Sequence, residues 1–449
     1  MKIAILLLTY FFIFNSYSQR TKDSKQIKKQ LKDFKIFKRE INANAAGLYF
    51  YNSKEEISSR FDSIEKILNT PQNEFEIYKV YAHFLSKMKC GHSQIFSDKI
   101  RETIIDNKLL PPFKTIFISN RLFITDSKDT LSIPKNVEII KINNESIDNL
   151  KAKLHEYLIS DGSNTTFKDY QLKSNFIYYY SLFINQNGNY TIEYLQNNTL
   201  KVLTCKGIKH QLTKQNKRDN IEIYSTNSSN NSIYYKPIYP LKMKDKYLDS
   251  INILISKQAI QNIIIDLRGN GGGKTQTNLA SALCDSSIIY ELMTIHSYRK
   301  YNYHYKKRNS IFMRLLINLN RRKKYYSRTF ITKEKETKIS SQIYVLIDGG
   351  TFSAASNLAS YLKHHSNAIL VGEETGGNYK KCSTGLQSLK LPHSKIKINI
   401  NSIIVNNYDI PQIEHKGGVL PDYPISQSNN WNSNEDIQLQ FIYDLINQK

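Results

Sequence analysis

Tyr344-Val345-Leu346-Ile347-Asp348-Gly349-Gly350-Thr351-Phe352-Ser353-Ala354-Ala355-Ser356-Asn357-Leu358-Ala359-Ser360-Tyr361-Leu362 changes its period part-way along. A short apolar run with β-branched residues reads as a buried strand. Gly349 and Gly350 interrupt it, and Ala355, Leu358, Ala359 and Leu362 then recur at helical spacing. Ser353 therefore falls where a strand turns into a helix. A hydroxyl there is lifted clear of the sheet, and the unpaired N–H groups of the first helical turn face any negative charge that develops beside it. That arrangement presents a nucleophile. Ser353 or Thr351 acting as an ordinary helix cap accounts for the same residues, since Ser and Thr are common N-caps, and the stretch alone leaves both readings open.

A second strand runs into glycines at Ile263-Ile264-Ile265-Asp266-Leu267-Arg268-Gly269-Asn270-Gly271-Gly272-Gly273-Lys274-Thr275. Backbone amides in such a cluster can converge on an anion. Gly273-Lys274-Thr275 copies the end of a phosphate loop, but that motif needs glycine five residues before Gly273, where Arg268 stands. Nucleotide binding is therefore set aside. A tight turn without a ligand rarely keeps three consecutive glycines, because each loses extra backbone entropy on folding.

The 449 residues are enough for two or three domains. A hydrophobic content of 40% with 31 Tyr and 20 Phe allows sizeable cores and excludes general disorder. Met1–Ser18 carries a lone Lys2, an apolar stretch from Ile3 to Phe14 and small residues at Ser16 and Ser18. That stretch falls short of the roughly 20 residues of a membrane span, so it reads as a secretory signal peptide cleaved near Ser18–Gln19, with no transmembrane segment left afterwards. A periplasmic or extracellular protein is expected. The net charge of +24 would ordinarily raise nucleic acid as a partner, but export removes it. Association with an anionic envelope surface or acidic substrates, or a solvated basic face, is expected instead. Cys90, Cys205, Cys284 and Cys382 match no zinc or thioredoxin spacing, so neither metal nor cofactor is expected, while one or two disulfides suit an exported chain.

From Lys25 to Lys89 the pattern is helical, most clearly where Phe75, Tyr78, Tyr81, Phe84, Leu85 and Met88 recur at three- and four-residue steps. Gly91 is the predicted stop, and His92-Ser93-Gln94-Ile95-Phe96 then alternates as a strand. His92 thus lies at a helix-to-strand junction and acquires a role if Ser353 needs a base. Between about Lys108 and Cys205 short strands take over, with one or two helices among them. Val137–Ile142 is a predicted strand, Asn143-Asn144 a turn, and Ile147, Leu150, Leu154 and Leu158 one face of a helix capped near Ser146. Asn189–Leu195 and Thr199–Cys205 read as hairpin arms, and Ser225–Ser232 as a loop or linker. The basic stretch Arg299–Lys338 reads as a surface insertion or flap.

Asp266–Gly273, Gly349–Asn357 and Val371-Gly372-Glu373-Glu374-Thr375-Gly376-Gly377 occur in the order and spacing of the tail-specific, or C-terminal processing, serine peptidases, and the chain resembles that family. Cys90-Gly91-His92-Ser93 and Gly417-Gly418-Val419-Leu420-Pro421-Asp422 resemble the histidine motif and final signature of its tricorn-core-like, Ser-His-Glu branch. The resemblance implies an α/β fold in three parts after the signal peptide (1–18). A helical N-terminal region (19–107) would carry His92. A PDZ-like β-rich module (108–235) would rest mainly on Val137–Leu158, and a crotonase-like ββα catalytic core (236–449) would hold the basic insertion at about 298–338. Ser353 would be the nucleophile and His92 its base, with the amides of Ala354 and of Gly271 or Gly272 holding the oxyanion. Peptides or unfolded protein tails would be the substrates, cleaved through an acyl-enzyme.

Where the classical branch carries a general-base lysine, this chain has Asn378. A serine–histidine pair is expected in place of a serine–lysine dyad, with Lys380 and Lys381 as substitutes only if the loop shifts. Such a pair needs a third group to orient the imidazole. Glu373 and Glu374 precede a glycine turn and suit a structural role, whereas Glu414 stands just before the Gly417–Asp422 signature, one residue further than in the family. Glu414 is the preferred acid and Glu374 the alternative. A catalytically silent peptide- or lipid-binding protein on the same fold is the competing reading; retention of Ser353, His92 and both glycine clusters favours the enzyme.

Overall fold

The computed structural model describes residues 2–128, 131, 133–210, 223–228, 231–237, 253, 257, 260–273, 276–295, 305–306, 325–331, 341–411, 415–426 and 435–448. Helices come first: α1 (Lys2–Asn44), α2 (Lys54–Leu68), α3 (Glu74–Lys87) and α4 (Asp98–Asp106), with the short strand β1 (Ile95–Phe96) before α4. Local chemistry sets their ends. Ser53 and Glu56 form a capping box at α2, and Asn73 and Ser97 accept the amides of Glu76 and Ile100. α3 stops at Lys87, ahead of the predicted Gly91, because Lys89 already takes the left-handed conformation that ends it, at φ +56°. Aromatic rings lock the helices together, with Phe61 stacked on Phe84 at 4.7 Å and Phe37 edge-on to Phe84 at 5.2 Å. Among the described residues no helix is long and apolar enough to cross a membrane.

An antiparallel sheet follows, built from β2 (Phe113–Ile118), β3 (Arg121–Ser127), β4 (Glu138–Ile142), β5 (Glu145–Ser146), β6 (Asn189–Gln196) and β7 (Thr199–Lys206). Its order is β2-β3-β4-β6-β7, with β5 beside β4. Asn143, Asn144, Asn197 and Asn198 have φ of +50°, +65°, +50° and +60°, the left-handed values that tight hairpin turns demand and asparagine tolerates. Three helices separate β5 from β6: α5 (Ile147–His155), α6 (Thr166–Lys173) and α7 (Phe176–Phe183). That is one more than expected, because the apolar run Phe176–Phe183 is buried on nearly every side and so shows no amphipathic period. One cluster of buried side chains joins Phe37 and Phe84 of the helices to Leu122 and Ile139 of this sheet and to Leu389 and Ile398 far along the chain.

The remaining elements are β8 (Ile223–Asn227), β9 (Ser232–Lys236), β10 (Asn262–Asp266), α8 (Gln276–Leu283), β11 (Ile289–Ile295), β12 (Tyr305–Lys306), β13 (Tyr325–Ile331), β14 (Gln342–Ile347), α9 (Ala354–His365), β15 (Ile369–Gly372), β16 (Lys381–Lys390), β17 (Lys397–Asn407), β18 (Tyr423–Pro424) and α10 (Ile437–Asn447). One sheet runs β18-β15-β14-β10-β9-β8 and is parallel except for β8 at its edge. β8 and β9 form a hairpin where a loop or linker was expected at 225–232. The burial of Ile233 and Tyr235 outweighs the polar composition, and residues 229–230 lie outside the described ones. Successive residues of β10 serve opposite faces: Ile263 and Ile265 pack with α8 and α9, and Ile264 packs with Tyr344, Leu346 and Ile442 of α10. Burial on both faces explains the unbroken apolar runs.

The third sheet runs β12-β16-β17-β11-β13, with β1 attached to β17 so that Ile95 faces Ile398. Of the basic stretch at 298–338, β12 and β13 belong to this sheet and the rest lies outside the described residues. None of the four cysteines is joined in a disulfide, so the one or two bridges left possible by export are not formed.

β10 ends in a buried ion pair. Asp266 accepts the Arg268 amide at 2.9 Å, Arg268 Nε at 3.0 Å, Tyr234 Oη at 2.7 Å and Lys236 Nζ at 3.2 Å. Arg268 continues to Asp436, the N-cap of α10, at 2.8 Å, and so fastens that helix to the strand end. Burial pushes the Asp266 carboxyl up, but Arg268 and Lys236 more than reverse it and hold it below its ordinary value. A lowered folded pKa contributes stability above the unfolded value and loses it as the pH falls through the folded one. Arg268→Met should therefore cost about 3–5 kcal/mol near neutral pH in a urea titration. Its deficit should shrink below pH 3.8 as Asp266 protonates. An unchanged midpoint at neutral pH would refute this role.

Candidate active site

Ser353 is the N-cap of α9, yet its side chain makes no capping hydrogen bond. Its backbone sits at φ +57° and ψ −122°, a sparsely populated region for a residue with a Cβ, costing about 1–3 kcal/mol. Thr351 does the structural work, donating to the Leu267 carbonyl at 2.9 Å and accepting the Asp348 amide at 3.0 Å. Asp348 in turn accepts the amides of Gly269 at 2.8 Å and Gly350 at 2.9 Å, which ties the ends of β10 and β14 together, and burial pushes its carboxyl up. Ser353 is left half-buried beside the uncapped amides of α9.

Both glycine motifs close on that turn. Gly272 has φ +89°, and a Cβ there would stand 2.6 Å from both Ala354 N and the Phe352 carbonyl oxygen. The Phe352 amide donates to the Asn270 carbonyl at 3.0 Å. The Gly272 amide donates to Asn270 Oδ1 at 3.0 Å, which commits it within its own loop. From the other side, Gly376 donates to the Thr351 carbonyl at 2.9 Å, and a Cβ on Gly377 would stand 2.8 Å from Ser353 N.

His92 arrives from the first third of the chain. β1 pairs with β17 and Asn399 N donates to the Gln94 carbonyl at 2.8 Å, which holds the 90–94 loop against the third sheet. The imidazole packs on Phe352, the neighbour of Ser353, with ring centroids 4.5 Å apart, and Phe352 is stacked on Phe167 at 4.4 Å. Burial lowers the His92 pKa to about 4, so the ring is neutral at neutral pH. Its Nδ1 is buried without a hydrogen-bond partner.

Of the two expected acids, only Glu374 is among the described residues. Glu374 accepts His415 Nε2 at 2.8 Å and the Gly418 amide at 2.6 Å, binding the 373–377 loop to the 415–419 segment. Glu414 falls outside the described residues. Lys380 donates to the Tyr408 carbonyl at 3.1 Å, and Lys381 Nζ lies over the Phe50 ring at 4.2 Å. Among the described residues, a carboxylate that sequence reasoning passed over lies close to His92. Asp161 accepts the Gly91 amide at 2.7 Å and the Asn378 amide at 3.2 Å, and one of its oxygens lies within 4.8 Å of a His92 ring nitrogen. Burial raises its carboxyl to about 6 against the pull of those two amides. Asn378, at the vacated lysine position, also donates to Tyr51 Oη at 3.0 Å and accepts the amides of Lys380 and Lys381, each at 2.9 Å. No local pattern could have singled out Asp161, because its partners come from the 90–94 and 377–381 loops.

Residues 221–425 match the model of Peptidase family S41. The chain carries a serine-type peptidase domain. That domain spans β8 to β18 and includes Ser353 and both glycine motifs; His92 and Asp161 precede it. No curated protein matches the chain. Among solved structures, mature CPAF matches with a TM-score of 0.60 at 12% identity, covering 94% of this chain and 96% of that one. CPAF complexed with lactacystin matches at 0.59 and 13% identity, over 94% and 98% of the two chains. The photosystem II D1 C-terminal processing protease matches at 0.40 and 10% identity, over 88% and 93%. At these identities the CPAF matches speak to the fold alone, which is shared over nearly the full length of both chains.

The close approach at Gly272 yields a test of the turn. Gly272→Ala should destabilise the protein by about 1–3 kcal/mol and speed hydrogen exchange at the Ala354 amide, since the added methyl has backbone in its place. Unchanged stability and exchange would show that the loop relaxes freely.

Proposed function

We propose that this chain is an exported serine peptidase of the tricorn-core-like, Ser-His-Glu type, hydrolysing peptides or protein tails through an acyl-enzyme at Ser353. The observation that carries the reading is the strained, uncapped Ser353 at the start of α9, with the His92 ring packed on the adjacent Phe352. Ser353 Oγ attacks the scissile carbonyl while neutral His92 takes its proton. His92 then gives that proton to the departing amine, and water repeats the sequence on the ester. Ala354, the first helical residue, has an amide with no intrahelical acceptor and supplies one oxyanion donor. Gly271 is the second donor in preference to Gly272, whose amide is committed to Asn270. Each donor contributes about 10²–10³-fold to turnover.

Glu414 remains the proposed acid, supported by the engagement of Glu374 with His415 and Gly418. The same reading takes 1–18 as a signal peptide, 19–107 as the helical part bearing His92, 108–235 as a PDZ-like module and 236–449 as a crotonase-like core, in a periplasmic or extracellular protein.

Ser353→Ala and His92→Ala should each lower peptide hydrolysis by about four to six orders of magnitude with folding intact, and the double variant should be little worse. A fluorophosphonate probe should label Ser353 in the wild-type protein. Wild-type turnover in His92→Ala would eliminate the pair, and an unlabelled, inactive wild-type protein would favour a silent binding protein. Glu414→Gln should cut kcat by about 10⁴ through a mis-set imidazole tautomer, with KM little changed. Activity near wild type would remove Glu414 from the mechanism.

A further inference from the structure

Cys90, His92 and Asp161 bring three different metal-ligand chemistries to one place. The Cys90 sulfur, a His92 ring nitrogen and an Asp161 carboxylate oxygen lie within 4.8 Å of one another. We propose that these three side chains hold a zinc-class divalent cation, and that its binding switches the peptidase off by taking the lone pair of His92.

Ligands of a tetrahedral zinc lie about 2.0–2.3 Å from the ion, which puts them roughly 3.3–3.8 Å from each other. The observed cluster reaches that spacing by side-chain movements of about an ångström. A second observation points the same way: His92 Nδ1 is buried and, among the described residues, has no hydrogen-bond partner. Asp161 is likewise buried, and among the described residues no Lys or Arg pairs with it. A thiolate and a carboxylate around a dication with a neutral imidazole make a centre of zero net charge, which suits a buried site. The thiol proton leaves to solvent on binding.

The surroundings orient two of the three ligands. Asn401 Nδ2 points at the Cys90 sulfur at 2.9 Å and Ser383 Oγ lies 2.9 Å from it, while the Gly91 and Asn378 amides orient Asp161. Mixed sulfur, nitrogen and oxygen donors select zinc over magnesium or calcium, which take oxygen ligands. A fourth position stays open to water or substrate.

Inhibition follows from the imidazole itself. Neutral histidine has one nitrogen lone pair, and its other nitrogen carries the proton. A metal on either nitrogen therefore leaves nothing to accept the Ser353 proton. This consequence rests on the function proposed above; metal binding does not.

The test uses the full chain after chelator treatment and dialysis, with Co²⁺ as probe. One equivalent should produce a thiolate-to-cobalt charge-transfer band in the near ultraviolet, and Zn²⁺ should displace it. Cys90→Ser, a near-isosteric change, should abolish the band, and Asp161→Asn should weaken affinity by about 10–100-fold or more. Cys382→Ser should leave the band intact. In hydrolysis assays micromolar Zn²⁺ should inhibit the wild-type protein reversibly, with chelator restoring activity. Measured against its own metal-free rate, Cys90→Ser should need at least about tenfold more Zn²⁺ for inhibition. Absence of a thiolate band in wild-type protein overturns the site whatever the variants do, and so does an unaltered band in a folded Cys90→Ser. A thiolate band lost in Cys90→Ser, in a protein that never hydrolyses peptide, supports the site and counts against the proposed function.

Discussion

The structure depends on one backbone-to-backbone approach, in which Gly272 lies against the Phe352–Ala354 turn so closely that a Cβ would stand 2.6 Å from Ala354 N. Two parallel strands, β10 and β14, deliver their loops to the same end of a sheet, and only a residue without a side chain lets those loops touch. The contact holds Ser353 at a positive φ that no short-range preference would choose. Thr351, Asp348 and the Gly376–Gly377 amides surround the turn with hydrogen bonds, so the strain is enforced from several directions. A fixed turn of this kind needs no reorganisation when charge develops beside it, which is the physical advantage it offers to the proposed chemistry.

Around that turn the molecule places polar groups in surroundings that penalise charge. His92 sits between Phe352 and the 90–94 loop, and burial lowers its pKa to about 4, which keeps the ring neutral. Asp161 is buried nearby with its carboxyl raised to about 6, held by two amides from loops far apart in the chain, those of Gly91 and Asn378. The same carboxylate therefore fixes the histidine loop to the segment just after the glycine turn. Removing it would disturb both, so the consequences of an Asp161 substitution have to be separated by a readout specific to the metal, such as the cobalt band.

Architecture explains why the histidine lies outside the matched domain. The family match covers 221–425, the parallel sheet and the strands that follow. β17 lies within that stretch, yet it accepts β1 at its edge, and its Ile398 and Ile400 join the core formed by α1 to α4 and the antiparallel sheet. The N-terminal helices are thus a structural wall of the candidate site. Their packing sets His92 against Phe352, far along the chain.

The sequence alone determined the elements that local chemistry controls. Apolar runs identified β10 and β14, asparagine pairs marked the hairpin turns, Ser146 marked the start of α5, and the three motifs pointed to a peptidase domain, in line with the family match over 221–425. It failed where burial overrode composition, as in the β8–β9 hairpin and α7, because a buried tyrosine or isoleucine counts by its partners and not by its neighbours in the chain. Glu374 and Glu414 were nominated by motif proximity; the fold gives Glu374 to His415, and Glu414 lies outside the described residues. Only the tertiary structure decided that Thr351 ties the strand ends together while Ser353 makes no capping bond, that Gly272 lies against the Ser353 turn, and that Cys90, His92 and Asp161 converge. Those facts depend on loops brought together by sheet pairing and core packing, and a contact between residues so far apart leaves no periodicity in the chain that makes it.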